Sequence, residues 1–148
     1  MPDPADPLVG FSFMFEVQNK VAGFFTEVSG IGSETEVVEH KVVTKDGKSD
    51  FVQKIPGRLK WGDITLKRGI TSELDVYNWR KAVEDGKVAS ARANGSITML
   101  DQEGKPVAVW DFVRGWPSKV TGPGLNSGTS GVGIEEMVIV HEGIIRKK

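Results

Sequence analysis

The chain has 148 residues, enough for one domain with a real hydrophobic core. Lys plus Arg number 19 and Asp plus Glu 20, a formal charge of −1, which argues against a dedicated binder of nucleic acid or anionic membrane. The absence of cysteine excludes disulfides, thiolate metal sites and cysteine nucleophiles, and 18 Gly with 7 Pro favour many turns over long helices.

Residues 1–7 (MPDPADP) read as a flexible leader. It has no basic region and no apolar run, so no secretory signal is read there and synthesis in the cytoplasm is expected. The longest apolar stretches are four residues, such as Met137-Val-Ile-Val140, far short of the ~18 that a membrane helix needs. Phe11, Phe13, Phe15 and Val17 alternate with Ser12, Met14 and Glu16, the period of a strand with one buried face. Val21 to Ser29 predicts a second strand, stopped by Gly30-Ile31-Gly32.

Asp46-Gly47 stands between two β-rich runs, the strongest short-range hairpin signal. A two-residue loop there pairs Val43 with Asp50, Val42 with Phe51 and Lys41 with Val52. One face then carries His40, Val42, Phe51 and Gln53, the other Lys41, Val43, Asp50 and Val52. Neither face is apolar enough to be a full core face, and a two-stranded ribbon is marginal alone in water. The arm, about 36–54, therefore either folds back on the domain or finds another chain. Pro56-Gly57 is expected to end it.

Leu59 to Arg68 resumes alternation, with Gly62 as a bulge. A helix is predicted over 72–85. Thr71 or Ser72 stands at its N-cap, Asp75 suits a capping box with Ser72, Val76, Trp79 and Val83 form one apolar stripe, and Gly86 follows its end. Ala93 to Leu100 and Pro106 to Val113 read as a strand pair, followed by a corner at Gly115-Trp116-Pro117. Residues 121–133 are Gly/Ser-rich without periodicity and read as a loop. The last strand runs from about Ile134 to His141 and is apolar on both faces, which suits a central position. Seven or eight strands and one helix describe a mainly β chain: an antiparallel sandwich or barrel with a projecting hairpin and one flanking helix.

Catalytic signals are weak. His40 and His141 lie far apart in sequence with no ligand spacing around them, so no metal site is predicted. Gly122-Pro-Gly124 lacks the spacing and the βαβ context of a dinucleotide loop, and no cofactor is expected. Glu135 and Glu136 face opposite ways on a strand and cannot share an acid–base task. Trp79 fits the helix stripe, and Trp61, Trp110 and Trp116 fit strand and corner packing better than a stacking platform. The oddities are the hairpin and the Gly/Ser loop, and both point to protein–protein assembly rather than chemistry.

An ordered set of short stretches resembles the inner-tube protein family of contractile phage tails and related injection systems, with the secreted ring proteins of type VI secretion as remoter relatives. These stretches are Phe13-Met-Phe-Glu-Val17, Gly23-Phe-Phe-Thr-Glu-Val-Ser-Gly30, Ile55-Pro-Gly57, Ile64-Thr-Leu-Lys-Arg-Gly-Ile-Thr71, Trp79 in the helix, Asp101-Gln-Glu-Gly-Lys-Pro106 with Trp110, Gly115-Trp-Pro-Ser-Lys119 and Val138-Ile-Val-His-Glu-Gly143. The resemblance spans about residues 8 to 146. It implies hexameric rings stacked head to tail into a hollow tube, with sheath, baseplate, spike and tube-initiator proteins as partners and protein effectors or DNA as lumen cargo. It implies no catalytic residue, no metal, no cofactor and no stable membrane insertion by the subunit. On this reading the hairpin residues Val42, Val43, Lys45, Asp46, Lys48 and Phe51 contact a neighbouring subunit, and Asn126, Ser127 and Ser130 of the loop form a second contact. A tube-initiator or terminator paralogue, and from another class a monomeric ligand-binding β-sandwich, stand as alternatives.

Overall fold

A computed structural model of the chain describes residues 12–45, 47, 49–70, 73–123 and 133–148. These divide into two compact units: a body built from the chain up to Ile31 and from Asp63 onward, and a ribbon over Gly32–Gly62.

The body begins with β1 (Ser12–Val17), β2 (Val21–Phe25) and β3 (Glu27–Ser29), and resumes with β6 (Ile64–Gly69). After α1 (Asp75–Glu84) and the single turn α2 (Val88–Ala91) come β7 (Ala93–Leu100), β8 (Pro106–Thr121), β9 (Ile134–Val140) and β10 (Gly143–Arg146). All pairings are antiparallel, in the order β2-β1-β7-β8-β9-β6-β3, with β10 added beside β8. Two strand runs serve two parts of this sheet. The predicted strand 21–29 is interrupted at Thr26, so β2 pairs with β1 and β3 with β6. The front half of the sheet is thus β2-β1-β7-β8 with β10, and the back half is β8-β9-β6-β3.

Strand β8 passes through the segment expected to be a corner. Its first part pairs with β7 and β10, its second with β9. The changeover lies at Arg114, whose φ of 50° is left-handed, and at Gly115. Phe112 explains the glycine. Its ring fills the space where side chains of Gly95 and Gly115 would stand: a Cβ at either position would lie 2.5 Å from a ring carbon. At Gly95 it would also lie 2.7 Å from the Glu16 carbonyl oxygen, which is backbone and cannot step aside. Gly95→Ala is therefore expected to cost about 1–3 kcal/mol by overpacking. Chemical denaturation of the purified variant measures it, and an unchanged midpoint would refute this packing account.

The core follows the period-two patterns. Phe15 and Val17, Val21 and Phe25, Ile64 and Leu66, Ile97, Phe112, Met137 and Ile139 are buried in one cluster. Phe15 stacks on Phe112 at 5.8 Å and meets Phe25 edge-on at 5.6 Å. Each such buried side chain contributes roughly 1.5–3 kcal/mol. Strand β9 lies between β6 and β8, the central position its two apolar faces predict.

Helix α1 packs on β8 and β2, with Val76 and Trp79 buried as the stripe predicts and Gly86 left-handed just beyond its end. Trp79 Nε1 donates to the Ala91 carbonyl at 2.7 Å, which fixes α2, a turn the sequence reading does not contain. The helix starts at Asp75 rather than 72, and Leu74 occupies the N-cap without a side-chain hydrogen bond. Asp75 is thus the first helical residue and not the N3 acid of a capping box, and its carboxylate accepts from the Val76 N–H at 2.8 Å and from Arg68. Thr71 and Ser72 lie outside the described residues, as do 1–11 and 124–132.

The ribbon consists of β4 (Ser33–Val43) and β5 (Asp50–Trp61). It is longer than the expected 36–54, and Pro56-Gly57 does not end it. Pro56 stands opposite Val37 at a register shift between Thr35 and Val37, where the ladder is already irregular, so its missing N–H is tolerated. The strand ends at Trp61. Gly62 is therefore part of the break before β6, not a bulge within one strand.

Candidate assembly interface

Pairing in the ribbon has the register that a two-residue loop at Asp46-Gly47 dictates: Val43 with Asp50, Val42 with Phe51, Lys41 with Val52 and His40 with Gln53. Gly47 is left-handed at φ 68°, and the Thr44 N–H donates to the Ser49 carbonyl at 2.9 Å. The Thr44 hydroxyl donates to the same oxygen at 3.0 Å, closing the tip.

Two different faces result. One carries Val38, His40 and Val42 opposite Ile55, Gln53 and Phe51, with no Asp, Glu, Lys or Arg among them. The other carries Glu39 opposite Lys54, and Lys41 with its ammonium 3.0 Å from the Asp50 carboxylate. Val37, Val43 and Val52 sit among those charges. Nearly every side chain on both faces is exposed, including Phe51 at 53%. Of the predicted contact residues, Val42 and Phe51 share the uncharged face, Val43 lies on the charged face and Lys45 is exposed at the tip. Asp46, Lys48, Asn126, Ser127 and Ser130 lie outside the described residues.

The outward faces of the body differ in the same way. On the back half, Glu27, Lys67, Glu136 and Thr121 form one cross-strand row, with the Lys67 ammonium 3.9 Å from Glu27. The next row is Ser29, Thr65, Val138 and Lys119. An open cleft of about 390 Å³ runs along the first row beside Thr26 and Gly122. Its lysine and carboxylates already oppose one another on neighbouring strands. On the front half, the row Phe24, Met14, Thr98 and Val109 is uncharged, and Phe24 is 62% exposed. The adjacent row holds Ala22, Glu16, Ser96 and Asp111.

Sequence reasoning missed the buried charge of the body. Arg68 is 6% exposed, donating from Nη2 to Asp75 Oδ1 at 2.7 Å and from Nε to Glu135 Oε2 at 3.1 Å. Its guanidinium also lies 5.1 Å from the centre of the Phe25 ring. Burial by itself would lower its pKa, but the hydrogen bonds and charges of Asp75 and Glu135 outweigh burial and hold it above its ordinary value. The group ties the start of α1 to β6 and β9. Its signal was present in the sequence: Ile64, Leu66 and Arg68 occupy the same face of one strand, so Arg68 must point inward.

A family model described as T4-like virus tail tube protein gp19 matches residues 9–145. The chain belongs to that family. It is a structural tube subunit, a component of a phage tail or phage-tail-like particle. Among solved structures it resembles a chain of the PVC extracellular contractile injection system sheath–tube complex in its extended state, at 18% identity and a TM-score of 0.79, over 97% of this chain and 93% of that one. A chain of the PVC sheath/tube terminator, also in the extended state, matches at 18% identity and TM-score 0.77, over 99% and 100%. Hcp1 from Flavobacterium johnsoniae matches at 13% identity and TM-score 0.56, over 92% and 94%. At these identities the likeness carries the fold. No curated protein matches the chain.

Proposed function

We propose that this tube subunit closes into hexameric rings that stack head to tail as a hollow conduit. A surrounding sheath contracts and drives the tube through a target envelope, a baseplate with spike and initiator proteins nucleates it, and protein effectors or DNA pass along the lumen. The subunit is made in the cytoplasm, takes no cofactor and catalyses nothing. The observation that carries this reading is the family match over residues 9–145. Physical support comes from the ribbon, an exposed two-stranded element that is marginal alone and gains stability against another chain. Head-to-tail contacts of this kind generate rings when they close and fibres when they do not.

Negative-stain electron microscopy with light scattering on the concentrated chain tests the proposal. Six-fold rings or hollow tubes are the expected result. A strict monomer, both alone and with a nucleating baseplate, would overturn it.

A second reading is a terminator of the same particle. It is favoured by the match to the PVC terminator chain at TM-score 0.77 over the whole of that chain. It differs in the same experiment by giving single rings that never lengthen. A ligand-binding sandwich has less support, since Trp79 is buried and Trp61, Trp110 and Trp116 are half-buried.

A further inference from the structure

Ring and tube assembly leaves open which surfaces of the subunit meet, and the polarity of its faces narrows the choice. The charged face of the ribbon has its ionised groups opposed across the two strands, at Glu39 and Lys54 and at Lys41 and Asp50. Covering it would strip water from the Lys41–Asp50 ion pair and from the Glu39 and Lys54 charges. The back half of the body likewise sets Lys67 between Glu27 and Glu136. Both faces are suited to water as they stand.

Two faces are not. The ribbon presents apolar pairs, Val38 with Ile55 and Val42 with Phe51, separated by the polar pair His40 and Gln53. The front half of the body presents the row Phe24, Met14 and Val109, uncharged until Lys147, whose N–H donates to the Val109 carbonyl just past β10, and beside it a row with Glu16 and Asp111 and no basic residue. On both surfaces the apolar and polar rows are two residues apart along the strands, about 7 Å. The polar row of one carries imidazole and amide donors, that of the other carboxylate acceptors. Phe51 is 53% and Phe24 62% exposed, while Val42, Met14 and Val109 are half-buried.

We propose that the uncharged face of the ribbon of one copy lies, sheet on sheet, on the front face of a second copy. An apolar pair covers the Phe24–Met14–Val109 row, and His40 with Gln53 meets Glu16 and Asp111. This rests on the assembly reading above. It makes the contact heterologous, since a ribbon meets a sheet face rather than another ribbon, as a head-to-tail ring or tube requires.

The lack of native cysteine makes cross-linking a clean test. Chains carrying Val42→Cys and size-tagged chains carrying Met14→Cys are mixed, assembled and oxidised, and Ile55→Cys with Val109→Cys serves as an independent pair. Mixed two-chain bands are expected from both pairs. Val42→Cys with Thr65→Cys on the back half, and Val43→Cys on the charged ribbon face with Met14→Cys, should yield at least tenfold less. Rings or tubes that cross-link through Thr65→Cys and not Met14→Cys would overturn this inference and leave the tube reading standing. Chains that never assemble under reducing conditions, either alone or with a nucleating baseplate, would overturn both.

Discussion

Arg68→Met destabilises the body by about 3–5 kcal/mol, the cost of removing one partner from a buried ion group. Asp75 and Glu135 have side chains only 15% exposed, so little water replaces the lost guanidinium. At about 2–4 °C per kcal/mol for a chain of this size, the melting temperature falls by roughly 10 °C. Thermal unfolding followed by circular dichroism measures it. The triple variant Arg68→Met, Asp75→Leu, Glu135→Met removes all three charges and regains most of the loss, because an apolar replacement of similar volume leaves no orphan carboxylate. A drop under about 2 °C in the single variant would mean that the triad is solvated and that α1 is held by its apolar packing and by the hydrogen bonds of Trp79 and Arg80. Those residues bond the Ala91 carbonyl at 2.7 Å and the Pro117 carbonyl at 2.9 Å.

Val42→Asp with Phe51→Asp abolishes assembly while leaving the body folded. Each lost apolar side chain removes about 1.5–3 kcal/mol of burial at an interface, before the cost of covering a carboxylate. At 1.4 kcal/mol per decade, the concentration needed for assembly rises at least ~100-fold. Sedimentation over a dilution series reads this shift. Among the described residues no core residue lies between Gly32 and Gly62, so the melting temperature stays within about 2 °C of the parent. Assembly at an unchanged concentration would remove the uncharged ribbon face from the interface.

The two units were legible to different degrees, for physical reasons. The ribbon register was readable at Asp46-Gly47 because a two-residue loop leaves one pairing, and Val42 opposite Phe51 follows from counting. The helix stripe was readable because Val76 and Trp79 repeat at helical spacing on a surface element. Breakers misled where the structure did not need the group they remove. Pro56 stands at a register shift, and Trp116-Pro117 lies where β8 changes neighbours, so both strands continue through their prolines. Strand β10 was lost because Gly143-Ile-Ile-Arg146 is too short to show a period, and it forms by pairing with β8, more than thirty residues earlier. The Arg68 group joins positions 68, 75 and 135, and only tertiary folding brings them together. The ribbon was legible as a segment, but the division of its side chains between two unlike faces acquires meaning only beside the faces of the body.

The ribbon leaves and re-enters the chain's course at one rung, where the Gly62 N–H donates to the Gly32 carbonyl at 2.9 Å. The segment between these two glycines is therefore an insert closed at its base, and none of its described residues belongs to the hydrophobic cluster. Such a cassette can be lengthened, shortened or exchanged for another sequence at little cost to folding, and on the contact proposed above the choice of neighbour is then written in a separate stretch of the chain from the stability of the molecule.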